Sequence, residues 1–99
     1  MKNTIAIAAA LLAATPAFAQ DNTARNLASA CAICHGTDGR PAAGAPVIPL
    51  AGLPADHISS QMRAFRDGKR PATVMHQIAK GYNDAQIDAI AAWYAAQKR

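Results

Sequence analysis

The 99-residue sequence predicts an all-α fold of about four short helices joined by loops. Three observations carry this reading. Apolar residues recur at three- and four-residue spacing within 24–31, 58–65 and 87–94, the period that lines one face of a helix. The intervening segments hold no strand pattern. Glycines and prolines gather between Gly36 and Gly52, where they exclude a regular helix. No repeat, low-complexity tract or linker interrupts the pattern, so one domain follows.

The first helix opens at Asp21 or Asn22, either a good N-cap, and Ala24, Leu27, Ala28 and Cys31 form its apolar stripe. A loop from Gly36 to Gly52 follows, long enough to wrap a flat ligand. The second helix has Pro54 in its first turn and stops at Gly68, with Ile58, Met62 and Phe65 on one face. A short third segment, Pro71 to Lys80, is closed by Gly81 and presents Val74, Met75, Ile78 and Ala79 at helical spacing. The last helix opens with the capping-box variant Asn83-Asp84-Ala85-Gln86 and runs to Lys98-Arg99, whose charges suit a helix C-terminus. Its apolar face is Ile87, Ile90, Ala91 and Tyr94, with Trp93 beside it.

The run Cys31-Ala32-Ile33-Cys34-His35 is the c-type haem attachment pattern. Each thiol can add to one vinyl group of the porphyrin, and the adjacent imidazole of His35 then reaches the iron as its fifth ligand. A structural zinc site needs four ligands, and the chain holds no further Cys. A thioredoxin-like dithiol wants a surrounding βαβ pattern, which is also missing. A disulfide between Cys31 and Cys34 is the remaining rival, and His35 argues against it.

Lys2, the apolar run Ile5 to Ala14 and the small-x-small site Ala17-Phe18-Ala19 read as a secretory signal peptide over residues 1–19. The run falls well short of the roughly 20 apolar residues that span a bilayer, so no stable membrane insertion is expected. The exported domain is then 20–99, and its compartment is the periplasm. A domain of this size builds only a marginal core by itself, which a covalent haem would help to fill. Without Lys2, nine of the ten Lys and Arg stand against six Asp, a formal charge that two haem propionates would bring close to neutral. This excludes a nucleic-acid footprint. Arg63, Arg66, Lys69 and Arg70 cluster within eight positions, either a solvated helix face or a patch that steers an acidic partner.

The sixth iron ligand decides the chemistry. Thioether ligation favours ferrous iron and a filled sixth position blocks small ligands, so a His/Met pair suits electron transfer. Met62 sits mid-helix at core spacing to Ile58 and Phe65 and reads as packing, whereas Met75 follows a Gly/Pro-marked loop and reads as the ligand. His76 competes with Met75, but its side chain leaves a helix about 100° away. His57 reads as a surface or capping residue.

Cys31 to His35, Gly36, Asp38-Gly39, Leu50-Ala51-Gly52, Gln61 to Arg66 and Ile87 to Gln97 together resemble a bacterial class I cytochrome c. The stretches Arg70 to Met75 and Ile78 to Tyr82 more narrowly resemble the monohaem cytochrome subunit of flavocytochrome c sulfide dehydrogenase. The resemblance implies a class I cytochrome c fold wrapped around one covalent haem c. Cys31 and Cys34 would hold the haem, and His35 and Met75 would be its axial ligands. Trp93 would stand where the first and last helices cross, facing small residues such as Ala28. A proline carbonyl, of Pro46 or Pro49, would accept a hydrogen bond from the proximal imidazole. Pro49 lies one residue nearer Leu50-Ala51-Gly52 than the family pattern.

The implied function is electron transfer, not catalysis. This chain would accept electrons from a sulfide-oxidising flavoprotein (FAD) subunit and pass them to a further cytochrome or oxidase. A free-standing class I cytochrome shuttle is the alternative, and a haem sensor or peroxidase with Met75 off the iron is a third reading. An apolar patch at the haem edge would mark a permanent subunit, and a small charged contact a shuttle.

Overall fold

The computed structural model describes residues 21–99, and the signal peptide expected at 1–19 lies outside them. Among the described residues are five α-helices, α1 Thr23–Ser29, α2 Ala32–His35, α3 Ala55–Arg66, α4 Met75–Ala79 and α5 Asp84–Ala95, with a 3-10 turn at Thr37–Gly39. Among the described residues there is no strand, as a class I cytochrome c fold requires. α5 packs against α1 and α3, and α3 against α4. Their apolar faces meet in a core of Ala28, Ile58, Met62, Ala79, Ile87, Ile90, Ala91 and Tyr94.

The expected first helix is two helices. Asn22 takes the N-cap position, but the Asp21 carboxylate accepts the Thr23 N–H at 2.9 Å, a bond that holds Asp21 below the usual carboxylate range. Seven residues later the register tightens, because the Cys31 N–H bonds to the Ala28 carbonyl three positions back at 3.1 Å. The Tyr94 hydroxyl donates to that same carbonyl at 2.6 Å. A side chain inserted into the backbone ladder breaks a helix at such a point, and the break turns Cys31 into the N-cap of α2. Tyr94, 1 % exposed, thus holds the innermost place at the α1/α5 crossing. Trp93 is half-buried beside it, edge-on, with ring centroids 5.0 Å apart.

The long loop is stitched to one residue. Gly39 accepts from the Leu50 and Ala51 N–H groups at 2.9 and 3.1 Å. It has φ +79°, and a Cβ there would lie 2.7 Å from the Ala51 nitrogen and 2.8 Å from Tyr94 Cδ1. Only glycine meets both demands.

Pro54 is the N-cap of α3 and stands just outside its first turn. The far end closes as a Schellman motif: Gly68 has φ +73°, its N–H bonds to Phe65 O, and Lys69 N–H bonds to Ala64 O at 2.9 Å. The segment expected as helix from Pro71 is helical only from Met75. Pro71 to Val74 instead forms a strap along the hollow described below. α5 begins with both bonds of the capping box, Gln86 N to Asn83 Oδ1 at 2.8 Å and Asn83 N to Gln86 Oε1 at 2.9 Å. It ends at Ala95, short of Lys98-Arg99. Beyond its end the Lys98 carbonyl accepts from the Arg40 guanidinium at 2.7 Å.

The basic cluster is a structural seam. Arg63 pairs with Asp84 and Asp88 at 3.3 and 2.7 Å, and Arg66 with Asp84 and Asp67 at 2.7 and 3.1 Å. These pairs tie α3 to the start of α5. Arg66 first and Arg63 second hold the Asp84 carboxyl below its ordinary range. The pairs are exposed and individually weak.

Two variants test this frame. Tyr94→Phe removes one buried hydrogen bond and is expected to lower stability by about 1 kcal/mol. Burial pushes the Tyr94 phenol well above its usual 10, so folding favours the neutral form. Its stabilisation is full below that pH and is lost as pH rises above it. Denaturant titrations on either side of pH ~10 should show wild type losing more stability than Tyr94→Phe. Gly39→Ala is expected to cost more than the roughly 1 kcal/mol of an ordinary Gly/Ala exchange, read as a lowered denaturation midpoint.

Candidate haem crevice

The single turn of α2 carries the motif. Cys31 is half-buried against the core, Cys34 is exposed, and no disulfide joins them. Burial pushes the Cys31 thiol up from its usual value. His35 stands at the end of the turn, its Nδ1 2.7 Å from the Ile48 carbonyl. A carbonyl only accepts, so Nδ1 carries the proton and Nε2 keeps its lone pair for a metal.

The acceptor on this bond is Ile48, not Pro46 or Pro49. The ring of Pro49 confines Ile48 to extended geometry, and the chain then presents the Ile48 carbonyl to the imidazole. The short spacing of Pro49 to Leu50-Ala51-Gly52 was the sequence signal for this outcome, since the family position falls one residue earlier, on Ile48.

Two adjoining hollows share His35, Ile48, Phe65 and Met75 as walls. The outer one, about 370 Å³, is also lined by both cysteines, Pro46, Val47 and the strap Pro71 to Val74. The inner one, about 110 Å³, is bounded by Leu50, Leu53, Ile58 and Met62, with Gln61, His57 and Arg70 as its other polar groups. Together they approach the size of a ligand site, with mostly apolar walls. Met75, the first residue of α4, touches both hollows. Met62, 6 % exposed within the core, touches only the inner one. His76 lies on neither wall.

The structure therefore brings two thiols, an imidazole nitrogen with a free lone pair and a thioether sulfur to one apolar crevice. That donor set fits haem c. Among the described residues no group of three or more His, Cys, Asp or Glu is arranged to hold a bare metal ion. Sequence reasoning placed these four side chains and missed Arg70 and Gln61, which mark the crevice only once α3 and its following turn are folded together.

Residues 12–93 match the sequence model of a family described as cytochrome C oxidase, cbb3-type, subunit III. The chain belongs to the cytochrome c family. The cytochrome is 44% identical over 73 residues to the thiosulfate dehydrogenase electron acceptor of Thiomonas intermedia, covering 72% of this chain and 33% of that protein. It is 42% identical over 72 residues to cytochrome c-554(548) of Halomonas halodenitrificans, covering 69% of this chain and 84% of that one. It is 39% identical over 69 residues to the cytochrome subunit of sulfide dehydrogenase of Chlorobaculum tepidum, covering 69% of this chain and 60% of the relative. The cytochrome thus spans a third of the first relative and most of the second. Two of these relatives are named as an electron acceptor and as the cytochrome subunit of a dehydrogenase. No helix among the described residues is long and apolar enough to cross a membrane.

Proposed function

We propose that this cytochrome carries one haem c, attached through Cys31 and Cys34 with His35 and Met75 as axial ligands. In this reading it is exported to the periplasm by the leader at 1–19 and accepts electrons from a sulfide-oxidising flavoprotein subunit. The convergence of both thiols, the His35 imidazole and the Met75 thioether on one crevice carries the reading.

Haem c supplies a one-electron ferric/ferrous couple when bound. The chain supplies its setting. The Ile48 carbonyl orients the His35 ring. A thioether from Met75 would favour the ferrous state and leave no open site for small ligands, which suits electron transfer over sensing or peroxidase chemistry. Leu50, Leu53, Ile58 and Met62 keep water from the inner crevice.

The donor is inferred from two kinds of support. One is the sulfide dehydrogenase subunit and thiosulfate dehydrogenase acceptor among the relatives. The other is the crevice mouth, where Ile48, Val74 and Ile78 are 57%, 54% and 40% exposed, an apolar rim of the kind a lasting partner covers. The basic residues Arg63 and Arg66 are engaged by aspartates and offer little to an acidic partner. The free-standing shuttle is the second reading, favoured by the 84% coverage of cytochrome c-554(548).

Met75→Ala is expected to abolish the Met-to-iron charge-transfer absorption of the oxidised protein, and Met62→Ala to keep it; the reverse pattern would move the ligand to Met62. Gentle purification of the native protein distinguishes the two functions. Co-elution of haem with a larger flavin-containing chain at fixed ratio, and reduction by sulfide, is the expected result. Elution alone, with no sulfide-dependent reduction, would favour the shuttle.

A further inference from the structure

Ile48 and Leu53 line the crevice on one side and a further hollow, of about 400 Å³, on the other. Pro49 and Ala51 complete an apolar floor there. No charged residue enters that floor, because Pro41 to Ala55 hold none. The remaining wall is two arginines, Arg40 and Arg99. The hollow thus joins an uncharged floor to a rim of one sign.

The fold holds the two guanidiniums at this rim. Arg40 donates to the Lys98 carbonyl at 2.7 Å, the carbonyl next before Arg99. The stem of Arg99 lies across Gly52, where a Cβ would stand 2.7 Å from its Cγ. Gly52 has φ +73°, and its N–H is fixed on the Tyr94 carbonyl at 3.0 Å, a place that glycine fills without strain. Like charges held on one rim repel, and an anion seated between them removes that cost. The acid at hand is Asp38, an exposed partner 3.3 Å from Arg40, and such pairs are weak. Among the described residues Arg99 makes no ion pair, while Asp67, Asp84 and Asp88 are taken by Arg63 and Arg66.

A ligand that answers both halves of the hollow has an anionic head and an apolar body. A plain anion would leave the floor uncovered, and a neutral hydrocarbon would leave the rim unpaired. A guanidinium presents its donors in a rigid fork that matches a carboxylate, and the volume is in the range of small-molecule sites. We propose that this hollow binds a compact amphiphilic carboxylate, its body on Ile48, Pro49 and Leu53 and its head between Arg40 and Arg99. The proposal is independent of the haem, its ligands and the electron donor.

The test is calorimetric titration of octanoate into the holoprotein, with acetate as the head alone and octanol as the body alone, for wild type, Arg40→Gln, Arg99→Gln and Arg25→Gln. Octanoate is expected to saturate one site per chain and to bind more tightly than acetate or octanol. Arg40→Gln and Arg99→Gln should each weaken it about tenfold, the worth of one charge-assisted hydrogen bond, and added salt should weaken it in wild type. Arg25→Gln, which removes a charge from α1 outside the hollow, should bind as wild type does. Arg40→Gln also loses the bond to Lys98, so Arg99→Gln decides the matter if that variant fails to fold. Absence of saturable octanoate binding, equal affinity for octanol or acetate, or an Arg99→Gln affinity no lower than that of Arg25→Gln would each overturn the proposal and leave the haem reading intact.

Discussion

The bond from the Tyr94 hydroxyl to the Ala28 carbonyl is the contact on which the rest of the structure depends. It joins residues 66 positions apart at 2.6 Å, both fully buried. By entering the ladder of the first helix it ends α1 and lets the chain restart as α2, whose single turn bears both thiols and the imidazole. Gly39 then packs against the same ring with no room for a side chain, and its carbonyl gathers the far end of the long loop. One phenol thus sets the position of the attachment motif and of the loop that faces it.

Consequences run outward from that crossing. With Gly39 holding Leu50 and Ala51, the two residues before them are constrained as well, and Ile48 meets the His35 imidazole. On the opposite side, the capped end of α3 turns the chain sharply at Gly68, so that Pro71 to Val74 run along the outer hollow and deliver Met75 at the head of α4. The two iron-ligand candidates therefore arrive from different segments, His35 fixed by the Ile48 carbonyl and Met75 at the end of the strap. A wide apolar crevice between them is the expected result of so small a core built from short helices.

Charge is divided by depth. On the outer surface, the aspartates at the start of α5 engage the arginines of α3, an arrangement that also suits the positive end of the α5 dipole. Inside the crevice a single guanidinium rests on an aromatic face without a carboxylate. A cluster that reads in sequence as one basic patch is thus two things, a seam between helices and a guanidinium held over Phe65 beside the crevice.

The local chemistry was legible in the sequence. The all-α class, the capping box of α5, the stop at Gly68 and the Cys31-to-His35 motif all depend on neighbours within a turn or two of chain, where spacing and residue type decide the outcome. The division of the first helix, the early end of α5, the Ile48 carbonyl in place of Pro46 or Pro49, and the isolation of Arg70 were not legible. Each depends on groups distant in sequence: Tyr94 for Ala28, Arg40 for Lys98, Ile48 for His35, and, for Arg70, the α5 aspartates that pair with Arg63 and Arg66 instead. By itself the sequence determined which side chains could bind a haem and which segments would be helical, because those are properties of composition and period. The tertiary structure alone decided which carbonyl, which sulfur and which charge face the crevice, because a hydrogen bond or an ion pair forms only between groups that packing has already brought within reach.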